Sequence, residues 1–381
     1  MPQPWSFPFC PEPPGWTLDW AGIEAAFPPV AAMRGCPQDP ELHAEGDVLT
    51  HTRLVCEALA GSDRWRALGA EPRAIVFAAA LLHDVAKPAC TRMEDGRLRS
   101  PKHAVRGASI ARTILWRGLP FGSDLQTPLA VRESIVALVR LHSLPLHIFE
   151  KADPRRSVIE ASQTVRCDWL ALLAAADILG RECPDRAKLL DQVELFTAFA
   201  DEQRCLTRPR SFPSDHSRFA YFQGRSDDPN RHVHDDTRLA AVLLSGLPGA
   251  GKDTWLQEQL PLLPIVSLDV IRRRLKVSPE GNQGTVVTAA REQAREYLRQ
   301  QQPFAWNATN TTRTTRAEVI RLLAGYHARI RLVYLEPAWE DLILRNRRRA
   351  AAVPHAVIER LADRLEVPTL TEAHQVEWHP G

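Results

Sequence analysis

No two cysteines of this chain stand in a C-x-x-C pair, and their number is odd: Cys10, Cys36, Cys56, Cys90, Cys167, Cys183 and Cys205. That pattern argues against a disulfide framework and against a cysteine zinc site, and for a reducing cytoplasm. Long apolar runs are missing too. The longest, AIVFAAALL, has nine residues, far short of the ~20 that a membrane-spanning helix needs. Charge of one sign is also lacking. With 48 Lys and Arg against 46 Asp and Glu, the net charge is +2, so no whole-molecule field marks a nucleic-acid partner. Local arginine groups could still serve that purpose. The opening MPQPWSFPFCPEPPGW is proline-rich, with neither a basic nor a long apolar segment, and does not read as a signal peptide. No internal repeat is visible.

What is present suits a soluble protein of about two domains at ~150 residues each. The 381 residues are 44% hydrophobic and 25% charged. From about Trp16 to Gln203 the periodicity is helical, with segments near 47–60, 73–87, 103–117, 128–142, 156–165, 168–180 and 185–203. Strand-like alternation is not seen there, which predicts an all-α domain over 1–206. Residues 207–238 are polar, proline-containing and non-periodic, and read as a junction, although Phe219, Tyr221 and Phe222 suggest packing. From 239 to 381 apolar strands such as LAAVLLS, PIVSLD, FAWNATN and RIRLVYLE alternate with helical stretches. That rhythm predicts an α/β domain with a parallel sheet covered on both faces.

The helical half carries polar residues where apolar ones are expected. AALLHDVAKP places His83 and Asp84 in an alanine–leucine run, where neither is easily buried without a partner. His51 sits in GDVLTHTRLV, His103 in SPKHAVRGAS, His142 in LVRLHSLPL and Asp177 in LLAAADILGR. Imidazoles and carboxylates together suit divalent transition metals, and two such ions polarise a phosphate ester and activate water near neutral pH. The plain alternative for any one of these histidines is a satisfied core residue. The ordered set of six favours a metal site. His43, His147, His216, His232 and His234 lack that support.

The pattern H…HD…D, with two histidines between, resembles the HD phosphohydrolase superfamily, especially the HD domains of RNA end-processing proteins such as CCA-adding enzymes. The resemblance implies one ion at His51, His83, Asp84 and Asp177, and a second at Asp84, His103 and His142. It implies that Lys87 and Arg181 face the substrate phosphate.

In the α/β half, LAAVLLSGLPGAGKDTW is a strand, a glycine loop and a helix, and Gly246 to Lys252 fits G-x-x-x-x-G-K. Such a loop wraps backbone N–H groups around a polyphosphate at a helix N-terminus, with Lys252 reaching the β- and γ-phosphates. Gly246, Gly249, Gly251 and Lys252 are therefore nucleotide-site residues. The next position, normally Ser or Thr for Mg²⁺, is Asp253, followed by Thr254. Asp269 and Arg272 follow the second strand, where a carboxylate can take a hydroxyl proton and a guanidinium can orient a phosphate. A helix-capping aspartate is the plain alternative. Asn307, Asn310, Arg313 and Arg316 follow the third strand. The arginines Arg345, Arg347, Arg348 and Arg349 read as a lid over the phosphates.

P-loop, D-x-x-R, N-x-T-N and RNRRR together resemble the polynucleotide 5′-kinases of end-healing systems. That resemblance implies Lys252 as stabiliser of the transferred phosphate and Asp269 as general base. Arg272 would hold the acceptor phosphate, with Arg313 in the same basic acceptor region, and Arg345 and Arg348 the donor. An HD domain upstream of such a kinase is similar to the bacterial HD-Pnk family. The implied function is bifunctional: a 2′,3′-phosphoesterase using Mn²⁺, Ni²⁺ or a similar ion, and a 5′-hydroxyl kinase using Mg²⁺ and ATP or another NTP. Its substrates would be RNA or DNA ends, with a separate ligase to seal them. Two alternatives stand beside it: an HD nucleotidase fused to a small-molecule (nucleoside or sugar) kinase, and a non-catalytic nucleotide-sensing module.

Overall fold

The computed structural model describes residues 4–119, 127–278, 281–349 and 351–381. The chain forms two compact units, Met1–Arg210 and Ser211–Gly381.

The first unit is predominantly helical. The helices that position the site are α1 (Val48–Gly61), α2 (Ala70–Leu82), α3 (His103–Arg117), α4 (Leu129–Leu141) and α5 (Cys167–Leu179). Asp47 starts α1 by accepting the Thr50 N–H at 2.8 Å, the capping role a short carboxylate fills well. Helix α2 is buried from Ala74 to Leu82, so it runs through the core with α1, α4 and α5 against it. It stops earlier than its apolar pattern predicts. His83 is its C-cap, and Lys87 and Pro88 open a separate short helix, Lys87–Cys90. Pro88 thus begins a turn of helix, where its missing N–H costs nothing, and does not end one.

The unit also contains strands, contrary to the all-helical expectation. Arg92–Glu94 (β1) and Arg97–Arg99 (β2) pair antiparallel. Three-residue strands are too short to show a period of two. The readable signal was the turn, Asp95–Gly96, both with positive φ of 52° and 76°, as a two-residue hairpin loop requires.

The second unit takes in most of the stretch read as a junction. Ser214 caps α6 (Asp215–Phe222), and Phe219 is buried in the core under the sheet. The sheet has five strands, β3 (Leu239–Ser245), β4 (Ile265–Ser267), β5 (Phe304–Asn307), β6 (Ala328–Glu336) and β7 (Gln375–Pro380), in the order β4-β5-β3-β6-β7. Every pairing is parallel. The crossovers are α7 (Lys252–Gln259), α8 (Leu268–Arg274), α9 (Gly284–Arg299), α10 (Arg313–Gly325), α11 (Trp339–Arg347) and α12 (His355–Asp363). The central β3 is apolar and buried at all but one position, as a strand covered on both faces must be. Strand β7 was not anticipated: QVEWHP is half-exposed and ends in proline, which an edge strand tolerates. Because the strands are parallel, their C-terminal ends share one edge, and the loops there converge.

Candidate functional sites

In the first unit, five of the six proposed metal ligands are buried at 3% exposure or less: His51, His83, Asp84, His142 and Asp177. His103 keeps 24% of its side chain exposed. Helix ends bring three of them together. His83 and His142 cap α2 and α4, and His103 is the first residue of α3. Each of these three rings is held in the same way. Nδ1 lies 2.7 Å from the Ala80 carbonyl for His83, 2.8 Å from Ser100 for His103 and 2.8 Å from Val139 for His142. Donation from Nδ1 leaves a bare Nε2 lone pair on each ring, the tautomer a metal-binding histidine needs.

The bare nitrogens face one another and the carboxylates. His103 Nε2 is 3.3 Å from His142 Nε2 and 3.4 Å from Asp84 Oδ1. His83 Nε2 is 3.2 Å from Asp84 Oδ2, and His51 Nε2 is 3.1 Å from Asp177 Oδ1. Two ligand groups result, His51–His83–Asp177 and Asp84–His103–His142. His51 Nε2, His83 Nε2 and Asp84 Oδ1 are buried without a hydrogen-bond partner among the described residues. Orphaned polar atoms cost free energy, and a divalent cation among them would remove that cost. The residues present therefore fit a pair of ions, with Asp84 placed between the two groups.

The electrostatics agree. Burial works against the charged forms of Asp84 and Asp177, yet both stay well below the usual carboxylate range. The Lys87 ammonium holds Asp84 down and the Arg181 guanidinium holds Asp177 down. Burial, reinforced by His83, lowers His142 to about 4, so its ring is neutral. Lys87 Nζ lies 2.7 Å from Asp84 Oδ2 and donates to Gln38 Oε1 at 2.7 Å. Arg181 grips Asp177 with two hydrogen bonds of 3.1 and 2.6 Å. Both cations stand at the cluster.

Sequence reasoning overlooked Glu45 and Gln38. Glu45 Oε1 accepts from His43 at 2.7 Å and lies 2.9 Å from His51 Nδ1, while Oε2 accepts the Glu182 N–H at 2.9 Å. Both residues lie in the loop before α1, where no periodicity marks a side chain. His147 is exposed and pairs with Glu150, outside the cluster.

In the second unit the P-loop sits between β3 and α7. Gly246, Gly249 and Gly251 have φ of 149°, 87° and 91°, values that side chains resist. A Cβ at Gly249 would lie 2.9 Å from the Leu342 carbonyl and 3.3 Å from Asn346, so α11 packs directly on the loop. Lys252 Nζ curls over the loop to the carbonyls of Gly246 and Leu247 at 2.8 and 2.9 Å. Burial lowers its pKa to about 8, against which Asp253 and Asp269 act while Arg349 assists. Asp253, Asp269 and Arg349 thus each lie within electrostatic reach of Lys252.

The neighbouring residues divide between binding and scaffolding positions. Asp269 is not the cap of α8; Ser267 is, and Asp269 is 64% exposed, paired with Arg272. Arg272 also donates to Gln283 at 2.8 Å. Asp253 accepts from Asn307 at 2.5 Å, and Thr254 is exposed. Arg345 Nη1 stands 3.7 Å from the Cβ position of Gly251, while Arg348 is exposed at the end of α11. Arg313 opens α10 with its N–H on Glu366 at 2.8 Å and its guanidinium 3.3 Å from Thr371. Asn310 and Arg316 are structural. Asn310 donates to the Leu244 carbonyl at 2.7 Å, and the fully buried Arg316 grips Glu372 at 2.7 and 2.9 Å and the Glu366 carbonyl at 2.7 Å.

Comparison with known proteins addresses parts of this arrangement. A family model described as an AAA domain matches residues 242–368. A curated relative, the Multifunctional CCA protein of Halorhodospira halophila (strain DSM 244 / SL1), is 37% identical over 116 residues, 30% of this chain. The match spans 24% of that protein's length. A proposed kinase from Chloroflexus aurantiacus J-10-fl is 17% identical over 38% of this chain and 86% of its own, at a TM-score of 0.33. The second unit is an α/β domain with a parallel sheet and a glycine-rich P-loop after its central strand, and the AAA model covers most of it. The first is a helical unit with candidate metal-binding groups. Among the described residues no helix is long and apolar enough to cross a membrane.

Proposed function

We propose that this chain is a bifunctional nucleic-acid end-healing enzyme of the HD-Pnk kind. The observation that supports it most is the pairing, in one chain, of a histidine–aspartate cluster suited to removing phosphate with a P-loop suited to adding it. Breakage of RNA leaves a 2′,3′-cyclic phosphate on one side and a 5′-hydroxyl on the other, so the two chemistries are complementary on one substrate.

In the helical unit, bound ions would supply Lewis-acid polarisation and an activated water. The residues that would hold them are His51, His83, Asp84 and Asp177 for one ion and Asp84, His103 and His142 for the other. Lys87 and Arg181 neutralise the non-bridging oxygens of the phosphate. Hydrolysis of the cyclic diester breaks one P–O bond, and hydrolysis of the remaining monoester releases inorganic phosphate.

In the kinase unit, Lys252 exchanges its two carbonyl partners for β- and γ-phosphate oxygens. Asp269 accepts the proton of the 5′-hydroxyl. The new O–P bond forms at the γ-phosphorus as the bond to the β–γ bridging oxygen breaks and the nucleoside diphosphate leaves. Arg272 and Arg313 orient the acceptor's phosphate, Arg345 and Arg348 close on the donor, and Asp253 with Thr254 would hold Mg²⁺. The test is incubation of a 5′-hydroxyl, 2′,3′-cyclic-phosphate oligonucleotide with ATP and divalent metals, followed by mass analysis of both ends. Gain of a 5′-phosphate and loss of the 3′-terminal phosphate support the proposal. Phosphorylation of nucleosides or sugars with none of the oligonucleotide points to a small-molecule enzyme instead.

A further inference from the structure

The exposed groups at the histidine–aspartate cluster are His103, Arg181 and Lys87, with 24%, 18% and 12% of their side chains accessible. The β1–β2 hairpin lies between two of them in the chain. It leaves just after Lys87–Cys90 and returns at Ser100. The Ser100 carbonyl holds His103 Nδ1 at 2.8 Å, and its hydroxyl meets that of Thr91 at 2.7 Å. The base of the hairpin is therefore fixed to a residue of the cluster.

Strand alternation puts Arg92, Glu94, Arg97 and Arg99 on one face, with Met93 and Leu98 on the other. Arg92 stands directly opposite Arg99. Like charges so placed destabilise a ribbon, and an isolated hairpin has little stability to spare. Glu94 engages Arg92 at 2.6 Å and Glu41 engages Arg97 at 3.2 Å. Arg99 has no ion pair or side-chain hydrogen bond among the described residues. Beyond it, Lys102 is exposed beside His103, in a left-handed conformation at φ 61°. With Arg92 and Arg97 each held by a glutamate, Arg99 and Lys102 are the cations left to attract an anion, and Lys102 directly precedes His103 of the cluster.

We infer that this hairpin, with Lys102, binds the phosphodiester backbone of the single strand whose 3′ end enters the cluster. The inference rests on the proposed phosphoesterase reading and adds to it. The helical unit would prefer an oligonucleotide to a mononucleotide because Arg99 and Lys102, with Arg92 beside them, contact phosphates upstream of the terminal one.

The experiment uses the full chain and two substrates, a 5′-phosphorylated RNA decamer ending in a 2′,3′-cyclic phosphate and a nucleoside 2′,3′-cyclic monophosphate. In the Arg99→Gln/Lys102→Gln variant, kcat/KM for the decamer should fall about tenfold relative to that for the mononucleotide, mainly through KM. Binding of a 5′-dye-labelled, 3′-phosphate decamer is read by anisotropy against salt. Loss of two phosphate contacts should make its salt slope shallower by about 1.4. Arg92→Gln should weaken the same binding with little change in melting temperature, because the relief of the like-charge pair offsets the loss of its exposed Glu94 ion pair; a purely structural arginine would lower the melting temperature and leave binding unchanged. An unchanged substrate ratio with an unchanged salt slope overturns the inference, as does an equal loss on both substrates. If the wild type cleaves neither substrate, the phosphoesterase reading fails, and anisotropy still decides the hairpin.

Discussion

Lys252 offers a direct reading of the nucleotide site. Its ammonium rests on two carbonyls, and burial lowers its pKa to about 8. Bound polyphosphate places negative charge at the same nitrogen, so the bound pKa rises. The sign follows from the two states. Below pH 8 both forms are protonated and affinity is flat; above it, the free protein loses a proton that binding must restore. With a free pKa of about 8, the competent fraction drops from about nine-tenths at pH 7 to about one-tenth at pH 9. The Kd for a Mg²⁺-bound, non-hydrolysable ATP analogue should then rise roughly tenfold, ~1.4 kcal/mol, provided the bound pKa lies well above 9. Titration calorimetry at pH 7, 8 and 9 measures this directly, with proton uptake seen in buffers of different ionisation enthalpy. Lys252→Met should bind weakly with no such slope. A flat wild-type Kd across that range, or an equal slope in Lys252→Met, would refute the argument.

Four further outcomes test the two centres separately. His83→Ala or Asp84→Ala should abolish 3′-phosphate release and retain 5′ phosphorylation, while Lys252→Ala or Asp269→Ala should do the reverse; each purified variant is assayed for both activities with a melting curve. Phosphoesterase activity should require Mn²⁺, Ni²⁺ or a similar ion and be lost in metal-stripped buffer with Mg²⁺ alone, because imidazole-rich sites suit transition metals and Mg²⁺ prefers oxygen. Asp253→Ala should raise the Mg²⁺ concentration for half-maximal kinase activity several-fold, with Asp253→Ser nearer to wild type; if both are silent, Asp253 does not help hold the ion. Arg316→Ala should destabilise the second unit by about 3–5 kcal/mol in denaturant melts, because it leaves Glu372 buried and unpaired.

The sequence by itself determined the residue types, the order and the local frame of both centres. A glycine loop between strand and helix is defined by neighbours in the chain, so Gly246 to Lys252 was legible as a P-loop without coordinates. The candidate set His51, His83, Asp84, His103, His142 and Asp177 could be picked out because each lies on or at the end of a helical stretch, most of them among apolar neighbours. Helical periodicity is a local property, and it located α1, α3, α4 and α5 closely. Only the tertiary structure decided the rest. It ended α2 at Leu82 and so freed His83 to turn its Nδ1 onto Ala80. It showed that Ser267 caps α8 while Asp269 does not, and that Arg316 and Asn310 serve the scaffold while Arg345 approaches the loop. It also drew Glu45 to His51 and put Arg92 opposite Arg99. These are pairings across loops and between elements distant in sequence. Composition and periodicity record which way a side chain leaves its own helix or strand; the partner it meets depends on how those elements pack.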